Sequence, residues 1–198
     1  MNTRTPLRST ARFAAVFAAI ASATLVAGCI PAIVVGVGAG AMVAVDRRTT
    51  GAQVDDQATE TKVTLEAGNR WGNEVHLNVT SFNGNVLLSG EAPTAQVRGE
   101  IVQLTKKTEH TRTVYDEMVV GPVTDLGARS NDTYITSKVK ARMLESDIVK
   151  SIYIKVVTER SVVYLMGIVS RAEGDAAAQV GATTQGVARV VKLFEYTN

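Results

Sequence analysis

The chain has 198 residues, 45% of them apolar, enough to fill one medium domain or two small ones. Its 21 basic and 19 acidic residues leave a formal charge of +2, so attraction to nucleic acid or anionic lipid has to come from a local patch. One cysteine and two histidines leave no disulfide framework and no Cys/His zinc spacing, and no cofactor is expected.

The first element is a leader. Arg4, Arg8 and Arg12 precede an apolar stretch from Phe13 to Val26, and small residues follow. A positive start, an apolar middle and a small-residue cut site make an export signal over residues 1–28. It ends in Leu25-Val26-Ala27-Gly28-Cys29, which resembles the lipobox of bacterial lipoproteins. That resemblance implies that Cys29 becomes the first mature residue and carries acyl chains, palmitate among them. Ile30, not aspartate, follows the cysteine. By the sorting rule of enterobacterial lipoproteins this implies delivery to the outer membrane, and the periplasmic side is the expected face. Without the leader the charge is −1, because three arginines and no acids are lost. Ile30 to Val45 is apolar and glycine-rich but shorter than the ~20 residues of a membrane-spanning helix, so it reads as a membrane-proximal tether. Asp46-Arg47-Arg48 marks the exit to water, and Thr49-Thr50-Gly51 opens a polar linker.

The remainder contains one unit twice. Asp56–Val63 matches Asp132–Val139 at an offset of 76. Val75–Val79 matches Ile152–Val156, and Val86–Gly90 matches Val163–Gly167, both at 77. Val114–Met118 matches Val190–Phe194, again at 76. In each unit a helix is expected to start at the aspartate, Asp56 or Asp132, as an N-cap. Alternating Val75, Leu77, Val79 and Ile152, Ile154, Val156 then predict strands. Asn83-Gly84 predicts a hairpin, and Arg160-Ser161 a weaker turn at the matching place. Pro93 suits a second helix start, and Ser170-Arg171-Ala172-Glu173 has capping-box spacing. Closing strands are expected near 113–120 and 187–196. Gly90 and Gly167 are expected where backbone or helix approaches closely. Trp71 reads as half-buried packing between the first helix and strand.

This α-β-β-α-β order, with Val-x-Leu-x-Gly at the end of the second strand, resembles the BON domain, and Asn131-Asp132-Thr133-Tyr134-Ile135-Thr136 and Val163-Tyr164-Leu165-Met166-Gly167 carry most of the resemblance. Two such units behind a lipobox resemble the dual-BON outer-membrane lipoproteins. The resemblance implies an α+β fold, each domain a three-stranded mixed sheet packed by two helices. The expected divisions are the tether and linker at 29–54, BON domains at 55–120 and 131–198, and a linker at 121–130. It also implies a non-enzymatic protein of the periplasmic envelope, tied to envelope stress, whose second domain binds phospholipid.

The two units differ in charge. Residues 55–84 carry −3, whereas the matching window 131–160 carries +2, so only the second suits anionic headgroups. Tyr134 and Lys138 are helical neighbours, Arg142 lies one turn further, and Lys140 points elsewhere around the helix. Ile135, Val139 and Met143 form the core face. An amphipathic aromatic beside basic side chains suits a lipid–water interface, so Tyr134, Lys138, Lys140 and Arg142 are the candidate phospholipid-binding residues. A solvated basic face with an incidental tyrosine is the alternative, and docking of an envelope protein partner is the rival function. No catalytic constellation is present: His76 and His110 stand alone, and no nucleophile elbow or phosphate loop follows the linker.

Overall fold

The computed structural model describes residues 46–149 and 151–197. The expected signal peptide, Cys29 and the Ile30–Val45 tether lie outside the described residues. Helix α1 spans Thr50–Trp71. The hairpin β1 (His76–Phe82) and β2 (Asn85–Ala92) follows, then α2 (Ala95–Lys107) and β3 (Thr113–Val120). The second unit repeats this as α3 (Leu126–Leu144), β4 (Ile154–Glu159), β5 (Val162–Val169), α4 (Arg171–Ala182) and β6 (Arg189–Tyr196). In each sheet the middle strand pairs antiparallel with the first and parallel with the third, in the orders β1-β2-β3 and β4-β5-β6. The parallel pairing follows from the helical crossover between the second and third strands.

The two first helices begin earlier than the aspartates suggested. Thr49 caps α1, its side chain accepting from the Ala52 N–H at 3.1 Å, and Asp125 caps α3 from the Ala128 N–H at 3.0 Å. Residues 50–54 and 126–130, expected as linker, are therefore helical. Asp56 and Asp132 sit inside the helices on the core face, sharing the spacing Asp56-Thr59-Val63-Ala67 and Asp132-Ile135-Val139-Met143. Their buried carboxylates cap hairpins instead. Asp56 accepts from the N–H groups of Asn83 and Gly84 at 2.7 and 2.8 Å, and Asp132 from those of Arg160 and Ser161 at 2.8 Å each. Both turns need left-handed backbone, and Arg160 and Ser161 supply it at φ 52° and 61° without glycine. Ser161→Gly is therefore expected to stabilise the second domain by about 1 kcal/mol, because the left-handed penalty of a Cβ is removed. Urea denaturation would measure it, and destabilisation would contradict this account of the turn.

Gly90 and Gly167 hold equivalent places, opposite Leu77 and Ile154. The close neighbour is backbone at the start of the first strand: a Cβ at either glycine would overlap the carbonyl oxygen of His76, which opens β1, or of Tyr153, just before β4. Helix α4 starts with the expected capping box of Ser170 and Glu173. In the first unit Thr94 caps α2, so Pro93 marks the helix start from just outside it, not from its first turn. Trp71 ends α1 and packs half-buried on the first core. Ile152 lies before β4, in a short tight turn at Ser151–Tyr153, and is exposed.

Each sheet carries its helices on one face. Val63, Val86, Leu88, Ile101 and Met118 fill the first core, and Ile135, Val139, Met143, Val163 and Leu165 belong to the second. The opposite faces pack against each other. Phe82 and Leu87 of the first domain meet Tyr164, Met166 and Leu193 of the second in a third buried cluster. The layers run helix, sheet, sheet, helix, which explains why all eight residues of β2 are buried.

Charge pairs rim this contact. Lys155 meets Glu60 at 2.6 Å, Arg160 meets Glu91 at 3.5 Å, Arg189 meets Glu117 at 3.6 Å and Arg112 meets Glu195 at 3.3 Å. Asn78 donates to Glu159 at 2.8 Å, with His76 Nε2 at 3.7 Å from the same carboxyl. Burial would raise the Glu159 pKa, but the bonds from His76 and Asn78 outweigh it and hold the group below its ordinary value. Tyr164 donates to Glu117 at 3.3 Å, and burial together with that carboxylate pushes its hydroxyl up to about 12. The opposite charges of the two units thus have a second use. Lys155 and Arg160, counted toward a positive headgroup-binding window, neutralise carboxylates of the first domain.

Candidate lipid-facing site

Helix α3 lies on the outer surface of the second domain. Ile135, Val139 and Met143 turn inward and are fully buried. On the solvent side stand Leu126, Tyr134 and Leu144, exposed by 77%, 62% and 73%, with Ser130, Ser137 and Ala141 also exposed between them. The three share the solvent side of α3, about 12 and 15 Å apart along its axis, with small side chains between them. Two more large aliphatics in the segment after the helix, Ile148 and Ile152, are exposed by 58% and 61%. Periodicity placed Tyr134 off the core face. It missed Leu126, Leu144, Ile148 and Ile152, because exposed aliphatics look like core residues until the packing is known.

The basic residues flank this row. Lys138 Nζ lies 4.6 Å from the Tyr134 ring centroid and donates to the Gln185 carbonyl at 2.6 Å. Arg142 Nη1 donates to the Val180 carbonyl at 3.1 Å and to Thr184 Oγ1 at 2.7 Å, and its Nη2 to Thr183 Oγ1 at 3.1 Å. Both side chains therefore bind the last turn of α4 and the turn after it, where helix carbonyls favour cations. Gly186, at φ 96°, lets that turn approach Ile135 and Lys138. Every acceptor is neutral, so both charges remain uncompensated while their positions are held. Lys140 is exposed on the other flank of the row. Among the described residues no carboxylate forms an ion pair with Lys138, Lys140 or Arg142. The structure thus brings Tyr134, Lys138 and Arg142 together and places Lys140 across the apolar row from them.

The first domain is an internal comparison. At the offset of 76, Ala58 stands where Tyr134 is, Lys62 where Lys138 is, Thr64 where Lys140 is and Glu66 where Arg142 is. The first helix therefore lacks the aromatic and replaces one cation with an acid. An open groove of about 590 Å³ beside α2 is lined by Arg70, Gln96, Glu100, Gln103 and Lys107, with no net charge bias toward an anion comparable to that of α3. Among the described residues no cluster of three or more His, Cys, Asp or Glu could hold a metal ion, and no helix is long and apolar enough to cross a membrane.

Two hairpin-containing units of α-β-β-α-β order define a tandem BON protein. The BON domain family model matches residues 55–122 and again 131–198, and the chain belongs to that family. It is 36% identical over 171 residues to the outer membrane lipoprotein DolP of Haemophilus influenzae, covering 85% of this chain and 89% of that one. It is 36% identical over 154 residues to the 21 kDa hemolysin of Actinobacillus pleuropneumoniae, covering 77% of this chain and 79% of that one. The osmotically-inducible protein Y of Escherichia coli is 34% identical over 108 residues, covering 53% of this chain and 54% of that one.

Proposed function

We propose that this protein is a lipid-anchored outer-membrane protein that holds its second BON domain against an anionic phospholipid surface and supports the integrity of the envelope. Cys29 carries the acyl anchor, and helix α3 reads the lipid. The relationship to an outer membrane lipoprotein supports the compartment. The observation that carries the lipid reading is the exposed row of Leu126, Tyr134 and Leu144 flanked by cations without carboxylate partners. The apolar side chains would enter the headgroup boundary while Lys138, Lys140 and Arg142 meet phosphates. No residue set on α3 suggests chemistry, and the reading is of a binding protein.

The test uses a chain beginning at position 29 with Cys29→Ser and vesicles of phosphatidylglycerol or phosphatidylcholine. Binding is expected only to the anionic vesicles and should fall with salt. Each cation near the surface is worth about 1 kcal/mol, so Lys138→Ala with Arg142→Ala should weaken binding roughly 30-fold. Tyr134→Ala should weaken it and Tyr134→Trp strengthen it, through the apolar area each ring offers the interface. Ala58→Tyr in the first domain should add little, since Glu66 stands nearby on that helix. Circular dichroism checks that the fold is retained. If Tyr134→Ala and the double variant bind anionic vesicles like the unsubstituted chain at low salt, α3 is a solvated face and docking of an envelope protein becomes the better reading.

A further inference from the structure

Two adjacent arginines ahead of α1 reach into different domains. Arg48 stays with the first: it pairs with Asp46 and Asp56, each at 2.8 Å, and its guanidinium lies 4.1 Å from the Phe82 ring centroid. Arg47 crosses to the second. Its Nη1 donates to the Ile168 carbonyl at 2.8 Å, and its two terminal nitrogens grip both oxygens of Glu173 at 2.9 Å. The same guanidinium lies 4.0 Å from the Tyr153 ring centroid. A bidentate carboxylate pair combined with ring stacking is the strongest arrangement open to arginine. The Arg47 bond pulls the Glu173 carboxyl down to about 2, against the effect of burial, with the Ser170 N–H helping.

The place of this grip is informative. Tyr153 follows Ile152 directly, and Ile152 and Ile148 are exposed aliphatics in the segment that follows α3. The chain coming from the anchor side therefore joins the folded part on the second domain, next to Ile152, although the helix that follows belongs to the first domain. Cys29 lies 17 residues before Asp46. Fully extended, that length reaches about 60 Å, so the folded part stays within that distance of the acylated leaflet. We infer that Arg47 is a positioning residue: it latches the anchor-side chain to the second domain, so that α3, with Ile148 and Ile152, is presented to the leaflet that holds Cys29. This rests on the readings of α3 as the lipid surface and of Cys29 as the anchor.

The test compares the acylated full-length protein, reconstituted into phosphatidylcholine–phosphatidylglycerol vesicles, with the Cys29→Ser chain added to the same vesicles. A fluorophore at Leu144→Cys, quenched by spin-labelled lipid, reports contact of α3 with the bilayer. Two variants change charge in opposite directions. Arg47→Ala removes a cation, while Glu173→Gln removes an acid and keeps a side chain able to complete the capping box. In the anchored protein both variants should lose quenching at least threefold. In the unanchored chain Arg47→Ala should bind within about fivefold of the unsubstituted chain, the worth of one surface charge, and Glu173→Gln equally well or better. A charge effect could not produce losses from both variants. Unchanged quenching in the anchored variants would overturn the latch while leaving the lipid reading intact. Equal losses in anchored and unanchored forms would also overturn it, since Arg47 would then only hold the fold together. If the unsubstituted, unanchored chain fails to bind phosphatidylglycerol vesicles, the lipid reading fails and the latch falls with it.

Discussion

Gly90→Ala is expected to destabilise the first domain by roughly 4 kcal/mol, a large share of the ~5–15 kcal/mol typical of a folded domain. Two costs add. The residue lies at φ 114°, a region that a Cβ disfavours strongly. The added carbon would also overlap the carbonyl of His76, which belongs to the neighbouring strand's backbone and cannot rotate away. Relief requires β1 to move off β2, which breaks the antiparallel pairing around Leu77 and disturbs the core beneath Val86 and Leu88. Gly167→Ala meets the second of these costs, at Tyr153, without the first, and should be the milder change. Thermal unfolding of each variant would show it. A Gly90→Ala protein melting within a few degrees of the unsubstituted chain would contradict the close-approach account.

Asp56→Ala should cost the first domain about 3 kcal/mol. The carboxylate accepts from Ser81 Oγ at 2.6 Å, from the Asn83 and Gly84 N–H groups, and from Arg48 at 2.8 Å. Removing it leaves several donors without a partner, two of them in a turn whose left-handed backbone they help to hold. The pH dependence has a definite sign. Burial raises the Asp56 pKa, but the bonds from Ser81, Gly84, Asn83 and Arg48 outweigh it and leave it lowered. The stabilisation is therefore complete above the unfolded value of about 3.9 and is lost as pH falls through the lower folded value. Acid unfolding of Asp56→Ala should accordingly be less steep below pH 4 than that of the unsubstituted protein. A variant with the same acid profile would show that the carboxylate is not the hairpin's support. Asp132→Ala should cost the second domain less stability, since Asp132 receives the two turn amides at Arg160 and Ser161 and, among the described residues, no arginine pairs with it as Arg48 does with Asp56.

The repeat, the order of elements and the two hairpins were legible in the chain because each depends on local patterns. Alternating Val75, Leu77 and Val79 can bury one face only as a strand. Asn83-Gly84 accepts the left-handed turn without strain, and Ser170 with Glu173 closes a helix end within four residues. Tyr134 could be placed off the core face by the same counting. The aspartates were not legible in this way. Asp56 and Asp132 have the residue type and position of caps, and only contact with a hairpin more than twenty residues away shows that their carboxylates face the core. The tertiary structure also decided what covers the second face of each sheet. Phe82, Leu87, Tyr164, Met166 and Leu193 look like ordinary strand residues, and nothing local tells them that their partner is the other domain. That packing diverts Lys155 and Arg160 to Glu60 and Glu91, which the net charge of a sequence window cannot reveal, because pairing depends on distance in space. The same holds for Arg47, whose partners lie more than a hundred residues away, and for Leu126 and Leu144. An aliphatic side chain in a sequence carries no mark of whether the fold will bury it or leave it facing a membrane.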